Sequence, residues 1–189
     1  MSLDASATAE GLEPSQTKPA LEFGAVDHTI IRRATSADVD VLVAMRRDFT
    51  FEDEESPRDT ARPEYQTECR EFLIEAISTG RWHIWVAEVS GQVISHVYVA
   101  LIDKVPRPVR ENRRIAYMTN VYTRPSHRGS GIGGRLVQRA QEAARQADVE
   151  LVIVWPSEES IAFYKRYGFK EASPDEPLIW DSDEPHHTE

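Results

Sequence analysis

A chain of 189 residues is long enough to bury one substantial core and short for two domains. Its formal net charge of -10 argues against general nucleic-acid binding, because a phosphate-backbone binder carries excess Lys and Arg, so any anionic ligand must find a local basic patch. No stretch approaches the roughly 18 consecutive apolar residues of a membrane span, and the N-terminal stretch lacks a basic region followed by an apolar one. The default expectation is a cytoplasmic protein with no membrane or nucleic-acid partner.

Residues 1–27, rich in Ala, Glu, Ser, Thr and Pro with no apolar period, read as a flexible N-terminal arm. One domain is expected over residues 28–182, followed by a solvated C-terminal tail at 183–189. Residues 29–33 read as a short strand, and Thr35 with Asp38 three residues on resembles a capping box that opens a helix. Leu42, Met45 and Phe49 give that helix its apolar stripe. An acidic, Pro-containing stretch follows over 52–63, then a second amphipathic helix over 64–78, stopped by Gly80. The single cysteine, Cys69, sits among Tyr65, Phe72, Leu73 and Ala76 at helical spacing. A lone thiol builds no disulfide framework or cysteine metal cluster within one chain, and with no activating His in view it reads as a buried structural group.

Residues 82–89 and 92–102 are β-rich runs separated by Ser90-Gly91, the pattern of an antiparallel hairpin. After a loop with Pro106 and Pro108, residues 115–123 form a third such run. The pattern then alternates: residues 131–147 place Leu136, Ala140, Ala143 and Ala147 on one helical face, 150–155 form an apolar strand, and 157–167 a short helix ended by Gly168. A helix linking neighbouring strands implies a parallel crossover grafted onto an antiparallel first half.

Residues 120–134 join a strand end to a helix start and hold four glycines, Gly129, Gly131, Gly133 and Gly134. Glycine lets backbone amides approach a ligand with no Cβ in the way, and the helix start adds unpaired amides and a positive dipole end. Arg124, His127, Arg128, Arg135 and Arg139 gather around this turn in an otherwise acidic chain, which favours a phosphate cradle over a glycine-rich loop that merely caps a helix. A Gly-Lys-Ser/Thr ending for a triphosphate is absent, and the glycine spacing of a dinucleotide fold is not met.

Arg128, Gly131 and Gly133 fit the pattern Arg or Gln, two residues, Gly, one residue, Gly or Ala, and Tyr164, Gly168 and Phe169 fit Tyr-x-x-x-Gly-Phe. In this order the two motifs resemble those of the GNAT superfamily of acetyl-CoA-dependent N-acetyltransferases. The resemblance implies an α/β (α+β) fold of the GNAT acyl-CoA acyltransferase type: a mixed, mostly antiparallel sheet, a parallel strand pair at the cofactor cleft, and helices on both faces. It implies that acetyl-CoA is the acyl-donor cosubstrate, with no metal. The amides of Gly129, Ser130, Gly131, Ile132, Gly133 and Gly134, with Arg128, would hold the pyrophosphate. The strand edge at Val121, Tyr122 and Thr123 would pair with the pantetheine arm, Asn120 would lie near the acyl carbonyl, and Tyr164 would protonate or hydrogen-bond the departing thiolate.

The expected activity is acetyl transfer to a primary amine of a small molecule or protein. The strand position at which some family members carry a basic Glu is occupied here by Ile115, Ala116, Tyr117 and Met118, so the general base stays open. His83, His96 and Glu75 are candidates by element alone, and a water chain is an alternative. The acidic run Glu52, Asp53, Glu54 and Glu55 favours a cationic acceptor, whereas Arg107, Arg110, Arg113 and Arg114 favour an acidic one. A noncatalytic acyl-CoA sensor is the alternative from another class, and the resemblance allows a homodimer.

Overall fold

A computed structural model of the chain describes residues 28–53, 61–108 and 114–171. The N-terminal arm, the tail, part of the acidic run and two of the loop arginines lie outside the described residues. Five strands form one sheet in the order β1-β2-β3-β4-β5, namely Ile30–Arg33, Trp82–Val89, Gln92–Ile102, Arg114–Thr123 and Val149–Val154. The first four pair antiparallel, and β4 pairs parallel with β5 across the intervening helix. The hairpin turns at Ser90 and Gly91, both at positive φ (50° and 78°), the conformation that matches the twist of the flanking strands.

The helices are α1 (Val39–Asp53), α2 (Tyr65–Thr79), α3 (Ile132–Gln146) and α4 (Ile161–Arg166). Two apolar layers flank the sheet. On one face Leu42 and Met45 of α1 and Leu73 and Ala76 of α2 pack on Ile84, Val86, Tyr98 and Tyr122. On the other, Leu136, Val137, Ala140 and Ala144 of α3 pack on Trp85, Val97, Val99, Ala116 and Met118, with Tyr164 of α4 joining them. Of the expected apolar stripes, Leu42, Met45, Leu136, Ala140 and Ala143 are buried and Phe49 and Ala147 half-buried, and the expected short helix over 157–167 divides into a 3-10 turn, Glu158–Ser160, and α4. Among the described residues no helix is long and apolar enough to cross a membrane.

The start of α1 is anchored electrostatically. Asp38, closing a 3-10 turn, accepts from the backbone N–H of Thr35 at 2.7 Å and receives Arg32 in two hydrogen bonds of 2.8 Å. The Arg32 guanidinium, helped by Thr35 and opposed by burial, draws the Asp38 carboxyl down to about 2. A depressed folded-state pKa contributes stability above the carboxyl's ordinary value, and that contribution is lost as pH falls towards 2. Asp38→Asn is therefore expected to cost about 2 kcal/mol at neutral pH by urea denaturation. The gap to wild type should close as pH is lowered through 4 towards 2; a gap independent of pH would show that the pair adds no charge-dependent stability.

Candidate active site

The site is built where β4 leaves β5. Pairing between them ends at Met118 opposite Val154, while β4 runs on to Thr123. Beyond Met118 its β5-side edge has no strand partner among the described residues, because β5 ends at Val154. On its other side β4 carries one residue more than β3, since Tyr98 pairs with Thr119 but His96 with Tyr122, so that Asn120 and Val121 together oppose Val97. Asn120 sits at φ 49°, a left-handed conformation that Asn tolerates better than most residues. This bulge turns Tyr122 towards α1 and Thr123 towards the start of α3, where Ser95 donates to the Tyr122 carbonyl at 2.8 Å and its Oγ lies 2.7 Å from Thr123 Oγ1.

After β4 the chain makes a 3-10 turn, Pro125–His127, and enters α3 through Gly129 and Gly131 at φ 77° and 79°. Gly131 is the N-cap, and a Cβ built there meets nothing within 4 Å, so its open side faces solvent space on the cleft wall. Gly134 is different: a Cβ there would fall 1.7 Å from the Tyr167 hydroxyl, because the end of α4 packs directly on the first turn of α3. Gln141 of α3 holds that contact by donating to the Tyr167 carbonyl at 2.8 Å.

Between these walls lies a cleft of about 1000 Å³. It brings together the predicted Val121, Tyr122, Thr123, Arg128, Gly129, Gly131, Ile132, Gly133, Gly134 and Tyr164; Asn120 and Ser130 are not on its wall. The Ser130 hydroxyl turns back to donate to the His127 carbonyl at 2.6 Å, and the Asn120 Oδ1 is buried without a hydrogen-bond partner among the described residues. Tyr164 is 8% exposed, edge-on to Phe163 and Phe169, and burial, with the neighbouring Tyr117, pushes its phenol up to about 12.

The far wall comes from α1. Glu52, on that wall with Phe49, accepts from the Tyr122 hydroxyl at 2.8 Å and is ion-paired with Arg128. Arg128 also donates from Nε to the Thr123 carbonyl at 2.9 Å and lies 5.6 Å from the Tyr122 ring centroid. Burial, then the bond to Glu52, pushes the Tyr122 phenol up to about 12, which keeps it a hydrogen-bond donor at neutral pH. The sequence expectation treats Tyr122 as a backbone partner in the cofactor groove; its side chain belongs to the α1 wall. Phe49, Phe163 and Tyr167 join the wall without having been singled out for it.

None of the three named base candidates is on the cleft wall. His96 is fully buried, pushed down to about 4 mainly by burial, and its Nδ1 lies 2.7 Å from the Asn120 carbonyl. A carbonyl only accepts, so Nδ1 carries the proton. His83, on β2, is pushed down to about 4 by burial and by Arg33 and Arg114, and Glu75 is on the exposed side of α2.

Residues 80–171, which contain β2 to α4, match the acetyltransferase (GNAT) domain family. An uncharacterized N-acetyltransferase of Methanocaldococcus jannaschii is 32% identical over 95 residues, covering 46% of this chain and 38% of that protein. A glucosamine 6-phosphate N-acetyltransferase of Trypanosoma brucei brucei is 34% identical over 65 residues, 34% of this chain and 44% of that enzyme. The chain thus spans less than half the length of the curated relatives it matches. Among solved structures, a predicted acetyltransferase from Clostridium acetobutylicum crystallised with acetyl-CoA superposes with a TM-score of 0.68 at 27% identity, over 84% of this chain and 99% of that one. Domain match, N-acetyltransferase relatives and shared architecture agree, and residues 80–171 form a domain of the GNAT superfamily of acetyltransferases.

Proposed function

We propose that the chain is an N-acetyltransferase that moves an acetyl group from acetyl-CoA to a primary amine of a small molecule or protein. The observation that carries this reading is the juxtaposition of the unpaired β4 edge beyond Met118 with the glycine turn at the start of α3 in one cleft. The cleft suits acetyl-CoA in volume, in the glycine turn that lines it, and in the open space at Gly131. Gly129 to Gly134 and Arg128 would hold the diphosphate, and Val121 to Thr123 the pantetheine amides. When bound, acetyl-CoA supplies a thioester carbon open to attack. A neutral amine attacks it, the N–C bond forms as the C–S bond breaks, and the amine's proton passes to solvent through water. Tyr164 would donate a hydrogen bond to the departing sulfur. A relative named for glucosamine 6-phosphate acetylation supports an amine acceptor.

The second reading, a noncatalytic acyl-CoA sensor, is favoured by the distance of His83, His96 and Glu75 from the cleft wall. The purified chain decides between them in two measurements. Acetyl-CoA is expected to raise the melting temperature of wild type and to leave Gly131→Val unmoved, since a β-branched residue is strained at φ 79° and its side chain projects into the cradle. Equal stabilisation of both proteins would remove the glycine turn from the cofactor site. Thiol release with pooled polyamines, amino acids, aminoglycosides and peptides then separates enzyme from sensor: release above acceptor-free hydrolysis is the enzyme's result, and binding with silence in every pool is the sensor's.

A further inference from the structure

The α1 wall of the cleft holds a carboxylate and an aromatic ring that together already grip a cation. The Arg128 guanidinium is ion-paired with Glu52 and lies 5.6 Å from the Tyr122 ring centroid, while the Tyr122 hydroxyl fixes the same carboxylate from the other side at 2.8 Å. Phe49, with its ring 5.5 Å from that of Tyr122, completes an aromatic lining on the cleft wall. Carboxylate plus ring face is the arrangement that binds an ammonium or guanidinium group.

Arg128 has a competing claim on it. Its guanidinium stands beside the glycine turn that, under the function proposed above, receives a diphosphate, and a dianion of that kind attracts a guanidinium more strongly than one carboxylate does. We propose that Glu52 and Tyr122 form the seat for a second, non-reacting cationic group of the acceptor, and that Arg128 fills this seat until the cofactor diphosphate draws it away. The seat is assigned to a non-reacting group because the attacking amine must be neutral, and a carboxylate in contact with it would hold its proton on. Tyr122 adjoins the bulge at Asn120 and Val121 on the strand that lines the cleft, so a cation seated there leaves a second amine of the same molecule to lie along β4. The acceptor class is then a diamine or polyamine, or a peptide with a basic residue beside the reacting amine. Glu52 and Tyr122 are positioning residues in this scheme.

The proposal rests on the acetyltransferase reading, but its first test does not need the cofactor. By titration calorimetry on the full chain, 1,4-diaminobutane is expected to bind Arg128→Ala at least about tenfold tighter than cofactor-free wild type, and to lose that gain in Arg128→Ala/Glu52→Gln. Glutamine still accepts from Tyr122, and circular dichroism checks that each variant is folded. In wild type, saturating CoA is expected to reproduce the gain of Arg128→Ala. With acetyl-CoA as donor, the kcat/KM preference for 1,4-diaminobutane over n-butylamine is expected to fall about tenfold in Glu52→Gln, chiefly through KM. Diamine binding indifferent to Arg128→Ala, or gained equally with Glu52→Gln present, overturns the seat. Wild type that binds no CoA, alongside a diamine site in Arg128→Ala, leaves the seat standing and sinks the acetyl-CoA reading instead.

Discussion

Turnover of Tyr164→Phe is expected to fall about 10²-fold in a thiol-release assay, with the melting temperature and acetyl-CoA affinity close to wild type. The ring is buried between Phe163 and Phe169, so phenylalanine preserves the packing and removes one oxygen at the cleft wall. The same burial decides what that oxygen does. With the phenol raised to about 12 and a thiol near its ordinary value of about 8.5, full proton transfer to sulfur is uphill by about 5 kcal/mol. In the proposed mechanism Tyr164 would therefore donate a hydrogen bond to the developing thiolate and keep its proton. A group that stays protonated until about pH 12 imposes no alkaline limb on kcat at lower pH. Equal losses in kcat and kcat/KM would mark an interaction made only in the transition state; unchanged turnover would remove Tyr164 from the mechanism.

The second large effect is expected from a single methyl group. In Gly134→Ala the new Cβ would lie 1.7 Å from the Tyr167 hydroxyl and 2.2 Å from Cζ, so the ring must leave its place. Tyr167 also packs on Phe163, at 5.1 Å between ring centroids, and its carbonyl is tied to Gln141, which leaves the displaced ring little room. The expected cost is about 2–3 kcal/mol in urea denaturation, as for other overpacked sites, together with weaker acetyl-CoA binding as α4 lifts from α3. Tyr167→Leu in the same chain should restore part of the lost stability. A Gly134→Ala protein with wild-type stability would show that α4 does not press on α3 in solution.

The sequence reveals most of the framework because its signals are local. Ser90-Gly91 between two β-branched runs marks the hairpin, Gly80 the end of α2, and the Leu136, Ala140, Ala143 stripe the buried face of α3. The glycine turn is legible for the same reason: backbone conformation there is written into residues that adjoin one another. What stays hidden depends on partners far apart in the chain. Arg128 and Glu52 are 76 residues apart, and in the sequence Glu52 is one carboxylate of an acidic run with no partner in view. One signal was available, since Leu42, Met45, Phe49 and Glu52 continue a single helical stripe, and a carboxylate on an apolar face needs a partner. His96 misleads in the opposite way, because nothing in its neighbours announces that its ring will be enclosed between Tyr98 and Tyr122.

The bulge opposite Val97 makes the two walls of the cleft depend on an odd-even count. Side chains alternate along a strand, so the supernumerary residue in β4 decides that a phenol points to α1 and a threonine to α3. A one-residue deletion between Met118 and Tyr122 would exchange the two, turning the partner of Glu52 towards the glycine turn while every side chain of the motif kept its identity. Chain length in this short interval is thus as tightly constrained as any residue in it. Substitutions at Asn120 can drift within the limits of a left-handed backbone, but related chains that preserve the α1 wall must preserve the count.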